Sequence, residues 1–364
     1  MKIAQVVSLA ESVPPQSKNG LEFVVSWLTE ELVKRGHQIT LFAPANSKTK
    51  AKLVSLFPQG ISREEWLIWS KKNYSDWNTS LVASMSQKFD LIHSHTGTIF
   101  QFIPFINCPV VYTIHEPYND NLRKKYLSQQ RYKKYIKFII NQYKKVHYVN
   151  ISQKQARDFI HCQHYYFKNH TTIYNGIPVK KFSFNNQPQD YLLYLGYINK
   201  DKGADLAIKI AQQSKMKLIL AGGIIGQEDF YKYKIKPYLN RRIKYIGPVD
   251  FKQKNELYKN ALATLTPLRW HEPFGLTLIE SQACGTPVIA FNRGAARELI
   301  KNNKTGFVVE GVTQAIESIK KIDSIKRKEC RDWTENKFSV ERMVDEYENL
   351  YKKYIQPNKQ TAIL

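Results

Sequence analysis

Short apolar runs alternate with amphipathic stretches along most of the chain. Residues 3–9 form a continuous apolar run of the kind found in strands buried on both faces. A loop holding Pro14, Pro15 and Gly20 follows, then a helical pattern over 21–35 closed by Gly36, then a strand over 38–42. Further strands are predicted at 91–93, 110–114, 146–150 and 172–174, with helices between several of them, one starting after Ser152. The polar stretch 183–190, with Asn185, Asn186 and Pro188, reads as a linker. Beyond it the alternation restarts: strand 191–195, helix 204–213, strand 217–221, strand 243–246, helix 253–259, strand 264–265, a helix from about Gly275 and a strand at 288–291. Residues 324–354 read as helical, with Phe338-Ser339-Val340 opening the last helix. Such alternation builds doubly wound parallel sheets. The pattern therefore predicts an α/β protein of two Rossmann-like domains, 1–182 and 183–338, with a closing helix over 339–357 that crosses back to the first. Two such domains facing each other bring the C-terminal ends of both sheets to one cleft, where open α/β sheets bind ligands.

The stretch 270–290, WHEPFGLTLIESQACGTPVIA, departs most from an ordinary pattern. In a helix from Gly275, Leu276, Ile279 and Ala283 share one stripe, and Glu280 falls inside it. A carboxylate on a core-facing stripe is costly unless it is hydrogen-bonded. Two readings follow: Glu280 faces a cleft and binds hydroxyls or a cation, or it is a buried glutamate paired with a Lys or Arg. The amides of Gly275, Leu276 and Thr277 would be unpaired donors at the helix N-terminus, which attracts anions. Amides for a phosphate beside a carboxylate for a ribose suit a nucleotide.

Composition narrows the class. The 364 residues fit two domains, and no apolar run is long enough to span a membrane. The N-terminus enters a strand at once without a signal-peptide pattern, which predicts a cytoplasmic location. Four scattered cysteines, Cys108, Cys162, Cys284 and Cys330, fit reduced thiols. The 55 basic and 31 acidic residues give a net charge of +24, favouring anionic partners. The stretch 121–145 holds nine Lys or Arg and no acid, interleaved with Tyr126, Tyr132, Tyr135 and Tyr143; a second basic cluster spans 232–244. As a helix, 121–145 would suit an anionic membrane surface, or it is simply a solvated basic face. No nucleic-acid module accompanies the charge, so no nucleic-acid partner is expected.

Taken together, the motifs resemble family 4 glycosyltransferases of the two-Rossmann-domain GT-B type, over nearly the whole chain. Glu272-Pro273-Phe274-Gly275 through Glu280 matches that family's two glutamates separated by seven residues. Asn175-Gly176-Ile177, Leu195-Gly196 with Lys202-Gly203, Ala283-Cys284-Gly285-Thr286-Pro287-Val288 and the tail from Phe338 to Met343 support it. The resemblance implies a nucleotide-sugar donor held by the second domain. Glu280 would bind the ribose, Glu272 and the amides from Phe274 to Thr277 the sugar and diphosphate, and Lys202 the leaving diphosphate. Gly247 and Val249 would meet the base through backbone groups. The family's arginine after the Leu-Gly pair is Tyr197 here, and Arg269 is the candidate replacement cation.

In the first domain, Asn19-Gly20 stands where the family's glycine-rich turn approaches diphosphate and acceptor, and His115 where a histidine touches the transferred sugar. His93 and His95 share a strand face; without a third ligand nearby, a core or cleft-lining role is favoured over metal. The chain has no Asp-x-Asp motif, so neither a metal nor another cofactor is expected. The implied activity is retaining hexosyl transfer from a UDP- or GDP-sugar to a glycan, glycolipid or small molecule, in envelope polysaccharide or glycolipid synthesis. The rivals are a glycosyl phosphorylase or sugar-nucleotide epimerase on the same fold, and a non-catalytic relative binding membranes or polyanions.

Overall fold

The computed structural model describes residues 1–15, 20–60, 74–117, 146–163 and 169–355. Asn19 and the basic stretch 121–145 therefore lie outside the described residues. Two compact units emerge, Met1–Gly176 with Val340–Leu364, and Ile177–Ser339. The division falls before the stretch 183–190, which lies inside the second unit and is not a linker. Its polar side chains are tied down: the Arg327 guanidinium donates to the Asn185 carbonyl (2.6 Å), and Asn255 accepts from the Ser183 amide (2.9 Å).

The first unit runs β1 (Lys2–Val6), α1 (Gly20–Lys34), β2 (Gln38–Phe42), β3 (Lys52–Val54), α2 (Tyr74–Ser84), β4 (Leu91–Ser94), β5 (Val110–Ile114), β6 (Val146–Asn150), α3 (Gln153–Gln163) and β7 (His170–Thr172). These strands form one parallel sheet in the order β3-β2-β1-β4-β5-β6-β7. Side chains alternate across a strand, and here the two faces differ in chemistry. Ala4, Val6, Ile92 and Val110 point to an apolar core that includes Val82 and Ala83 of α2. The opposite parity places Gln5 beside its register partner His93, with Thr113 following on β5.

The second unit holds β8 (Leu192–Leu195), α4 (Ala204–Gln213), β9 (Leu218–Ala221), α5 (Glu228–Lys234), β10 (Ile243–Tyr245), α6 (Phe251–Asn260), β11 (Ala263–Thr266), α7 (Leu276–Ala283), β12 (Val288–Phe291), α8 (Ala296–Leu299), β13 (Gly306–Val309), α9 (Val312–Ile319) and α10 (Arg327–Phe338). Its parallel sheet is ordered β10-β9-β8-β11-β12-β13, so the winding reverses between β8 and β11. Ala204, Ala207, Ile208 and Ala211 form the buried stripe of α4, packed with Leu218 and Leu220. Asp250 and Gln253 form a reciprocal capping box that starts α6. Helix α7 does not bury the expected single stripe: Leu276 is half-buried, and every residue from Leu278 to Ala283 is buried. Beyond its first two residues it is an enclosed helix, flanked by β11, β12, α6 and α10.

The chain ends its described part in α11 (Val340–Ile355), which belongs to the first unit. Met343, Val344, Tyr347, Leu350 and Tyr351 recur at helical spacing and are buried. The helix is pinned to the end of α1: Arg35 donates to Asp345 (2.6 Å) and Glu348 (3.1 Å), and His37 Nε2 bonds Glu348 (2.7 Å). Among the described residues no helix is long and apolar enough to cross a membrane, and no cluster of potential metal ligands occurs.

Candidate active site

In a parallel sheet, the loops leaving adjacent strands on either side of the winding reversal run apart and open a crevice. In the second unit those loops follow β8 and β11, and they carry Lys202 and Glu272 respectively. The two side chains form an ion pair, and the Lys202 ammonium also lies 4.6 Å from the centre of the Trp270 ring. Both are about a quarter exposed or less, at 26% and 20%. Asn199 Oδ1 accepts from the Lys202 amide (2.7 Å) and so fixes that loop. The Glu272 loop is fixed from the other side, because Ala295 N–H donates to the Glu272 carbonyl (3.2 Å). Gly294, at φ +56°, makes this approach feasible: a Cβ there would lie 1.9 Å from the same carbonyl oxygen.

Gly275 caps α7 at φ +113°, and the first bond of that turn runs from Leu278 N–H to the Gly275 carbonyl (3.0 Å). The amides of Leu276 and Thr277 precede that bond and carry the positive end of the helix dipole. The Phe274 side chain is core, packed edge-on against Phe338 at 6.1 Å. Glu272, Lys202 and these amides thus gather at one strand end.

Glu280 is different. It is 4% exposed, and its Oε1 accepts from Lys254 of α6 at 2.5 Å while Tyr258 donates to Oε2 at 3.3 Å. Glu280 is thus a buried glutamate paired with a lysine of the same unit. The Lys254 ammonium in turn lies 5.5 Å from the Phe251 ring centre and 5.9 Å from that of Phe182. Burial and the adjacent carboxylate push the Tyr258 phenol well above its ordinary range, so it acts as a hydrogen-bond donor. A carboxylate offers about four lone-pair directions, and these two contacts leave others for hydroxyl donors.

Arg269 is not an available cation. It forks onto both oxygens of Asp205 (2.7 and 2.6 Å) and donates to the Lys200 carbonyl (2.6 Å). This bidentate pair spends its charge on closing the β8 and β11 loops together. Half-buried Tyr197 follows β8, its carbonyl accepting from Tyr194 (2.7 Å). The Gly247 carbonyl accepts from Gly222 N–H (2.8 Å), and Val249 is buried, so the strand end after β10 keeps less free backbone than expected.

In the first unit, Gly20 is the first residue of α1, whose buried Glu22 the motif reading overlooked. Burial, with the nearby Glu11 adding to it, pushes the Glu22 carboxyl up to about 7, and its Oε2 has no hydrogen-bond partner among the described residues. His115 follows β5 and sits half-buried at the end of a side-chain chain. Its Nε2 meets His95 Nδ1 (3.0 Å), and His95 Nε2 meets Gln5 Oε1 (2.8 Å). Gln5 Nε2 meets His93 Nδ1 (3.4 Å), which Tyr351 also bonds (2.7 Å). His93 Nε2 reaches Thr113 (2.7 Å), which bonds Tyr347 (2.8 Å). His93 and His95 are thus core residues whose nitrogens are taken by side chains. Burial pushes His115 down to about 4 and holds His93 and His95 well below the ordinary histidine range, so all three rings are neutral.

Two family models match, group 1 glycosyl transferases over residues 178–340 and glycosyltransferase family 4 over residues 18–181. The chain is 22% identical over 338 residues to an uncharacterized glycosyltransferase of Methanocaldococcus jannaschii, covering 85% of each. It is 26% identical over 215 residues to the capsular polysaccharide biosynthesis glycosyltransferase CapM of Staphylococcus aureus, covering 51% of this chain and 54% of that one. Other curated relatives are spanned over half of their length or less, at 50% and 30%. Among solved structures, HepE of Anabaena in complex with UDP and glucose shares the fold at a TM-score of 0.72 and 17% identity, covering 97% of this chain and 100% of that one. With a family model over each unit and a fold shared with solved glycosyltransferases, the chain belongs to the family 4 glycosyltransferases and is itself a glycosyltransferase of GT-B type.

Proposed function

We propose that the enzyme transfers a hexose from a UDP- or GDP-sugar to a glycan, glycolipid or small-molecule acceptor, with retention of configuration and without a metal. The observation that carries this reading is the Lys202–Glu272 pair beside the Leu276 and Thr277 amides, at the winding reversal of the second unit. As the sugar–phosphate bond breaks, negative charge builds on the departing diphosphate. A cation and a helix N-terminus placed there lower the barrier. On binding, Lys202 turns from Glu272 to the diphosphate, and Glu272 takes hydroxyls of the hexose. The free lone pairs of Glu280 take the ribose hydroxyls beside Lys254, and His115 contacts the transferred sugar. The leaving phosphate oxygen accepts the acceptor's proton on the same face of the sugar, so no protein base is required.

UDP and glucose in the Anabaena structure support the donor class, and the name of the staphylococcal relative supports an envelope polysaccharide or glycolipid product. A cytoplasmic enzyme meeting a lipid-linked acceptor through the basic stretch 121–145 accords with its nine cations and absent acids. A thermal-shift screen against UDP-, GDP- and ADP-sugars, followed by turnover in EDTA, tests the reading. Stabilisation by one class and chelator-resistant transfer are expected. Loss of activity in EDTA with rescue by manganese sinks the metal-free assignment, and an inverted anomer by NMR sinks retention.

A further inference from the structure

We infer that Gln5 is a positioning residue that, through His95, fixes the tautomer of His115 so that a bare His115 Nδ1 accepts a hydrogen bond from a substrate hydroxyl. A neutral imidazole has one N–H and one lone pair. Gln5 Oε1 is an acceptor, so the 2.8 Å contact with His95 Nε2 puts the His95 proton on Nε2. His95 Nδ1 then has only a lone pair, and the 3.0 Å contact with His115 requires the proton on His115 Nε2. Nδ1 of His115 is left as the lone-pair nitrogen, and no described residue hydrogen-bonds it.

The orientation of the Gln5 amide is itself fixed from behind. Its NH2 group faces His93 Nδ1, which also takes the Tyr351 hydroxyl, while His93 Nε2 donates to Thr113 and Thr113 bonds Tyr347. Every ring nitrogen from His93 to His115 Nε2 then meets a complementary group. The ring centres of His93 and His95 stand 4.1 Å apart at a tilt of 40°, and those of His95 and His115 5.2 Å apart at 35°, so the three rings pack in one row. The closing helix α11 supplies both tyrosines, so a segment remote in sequence sets the polarity of His115.

The inference rests on the proposed sugar contact of His115, but its primary readout does not need a substrate. Full-length protein carrying 15N-histidine reports each ring's tautomer by long-range 1H–15N correlation, with His115 assigned from the spectrum of His115→Asn. The expected result is an Nε2–H tautomer for His115 in the unliganded enzyme; an Nδ1–H tautomer overturns the inference without any variant having to fold. Gln5→Met removes the acceptor and is expected to give mixed tautomers. Gln5→Glu places a carboxylate that draws a second proton onto His95, and is expected to reverse His115 to Nδ1–H. With the nucleotide sugar that the donor screen identifies, both variants should lower kcat by about tenfold at the loss of one hydrogen bond. An unchanged His115 tautomer in Gln5→Met, or a changed tautomer with unchanged kcat, overturns the role of Gln5. Absence of nucleotide-sugar turnover by the wild type would instead strike the proposed function, leaving the tautomer result standing.

Discussion

Replacing Lys254 by methionine isolates the energetics of the most deeply buried charge in the second unit. Glu280 is 4% exposed and the Lys254 side chain 15%, with the ammonium 2.5 Å from Oε1. Removing one partner of a buried pair costs about 3–5 kcal/mol because the other charge is stranded. The residual exposure of Lys254 and the Tyr258 hydrogen bond argue for the lower end, about 3 kcal/mol. For a unit of this size that is a fall in Tm of roughly 6–12 °C. The double variant Lys254→Met/Glu280→Gln removes both charges and should recover to within about 1 kcal/mol of the wild type. Calorimetry or fluorescence-monitored melting of the four proteins gives the coupling directly as a double-mutant cycle. The same melts repeated with UDP separate packing from ligand binding. Lys254→Met should keep its UDP-induced shift, since the carboxylate retains lone pairs for the ribose, whereas Glu280→Leu should lose it. A Lys254→Met protein as stable as the wild type would refute the pairing argument. An undiminished UDP shift in Glu280→Leu would refute the ribose role.

Other outcomes follow from the same geometry. Lys202→Met should reduce kcat by about a hundredfold, near 3 kcal/mol of transition-state stabilisation, with a smaller effect on stability; an unchanged kcat in steady-state kinetics would remove Lys202 from the mechanism. Gly294→Ala puts a methyl 1.9 Å from the Glu272 carbonyl, and calorimetric titration should register at least about tenfold weaker UDP binding as the loop is displaced. Buried neutral histidines bind fewer protons folded than unfolded, so their contribution is complete above their ordinary pKa and is lost as pH falls toward the folded one. His115 and His147, both pushed down to about 4 and in each case first by burial, should each remove about 3 kcal/mol between pH 6.5 and 4. Glu22 works in the opposite sense, its carboxyl raised to about 7, so it destabilises as pH rises from 4.5 toward 7; Glu22→Gln should flatten that limb of a pH–denaturation series.

Much of the fold was legible because it rests on period. Continuous apolar runs such as 3–9 announce strands buried on both faces, and Gly36 and Gly285 mark helix ends at positive φ. The crevice residues Lys202, Glu272 and Gly275 were also legible, because backbone topology alone carries strand-end loops on either side of the winding reversal to one place. The division of the chain was less so. A polar, proline-containing stretch at 183–190 has the composition of a linker, and only the tertiary contacts of Asn255 and Arg327 reveal it as an anchored surface loop.

Side-chain pairing was the illegible part, and the reason is physical. Periodicity states which face of an element a residue occupies, but a long cation reaches several ångströms from its own backbone and its partner lies on another element. Nothing in the sequence around Lys254 distinguishes it from the other lysines of α6, and nothing near Arg269 announces Asp205, 64 residues away. Three cations of the second unit, Lys202, Lys254 and Arg269, are each neutralised by a carboxylate from a different part of the chain. Within a protein of net charge +24, these three cations are matched pairs rather than surplus charge. Under the proposed function, an incoming diphosphate is recognised by exchange. Lys202, the more exposed of the two lysines and bound to a carboxylate that hexose hydroxyls can satisfy, is the partner that can be released. Lys254 and Arg269 are held by geometry, and their charge shapes the crevice without leaving it.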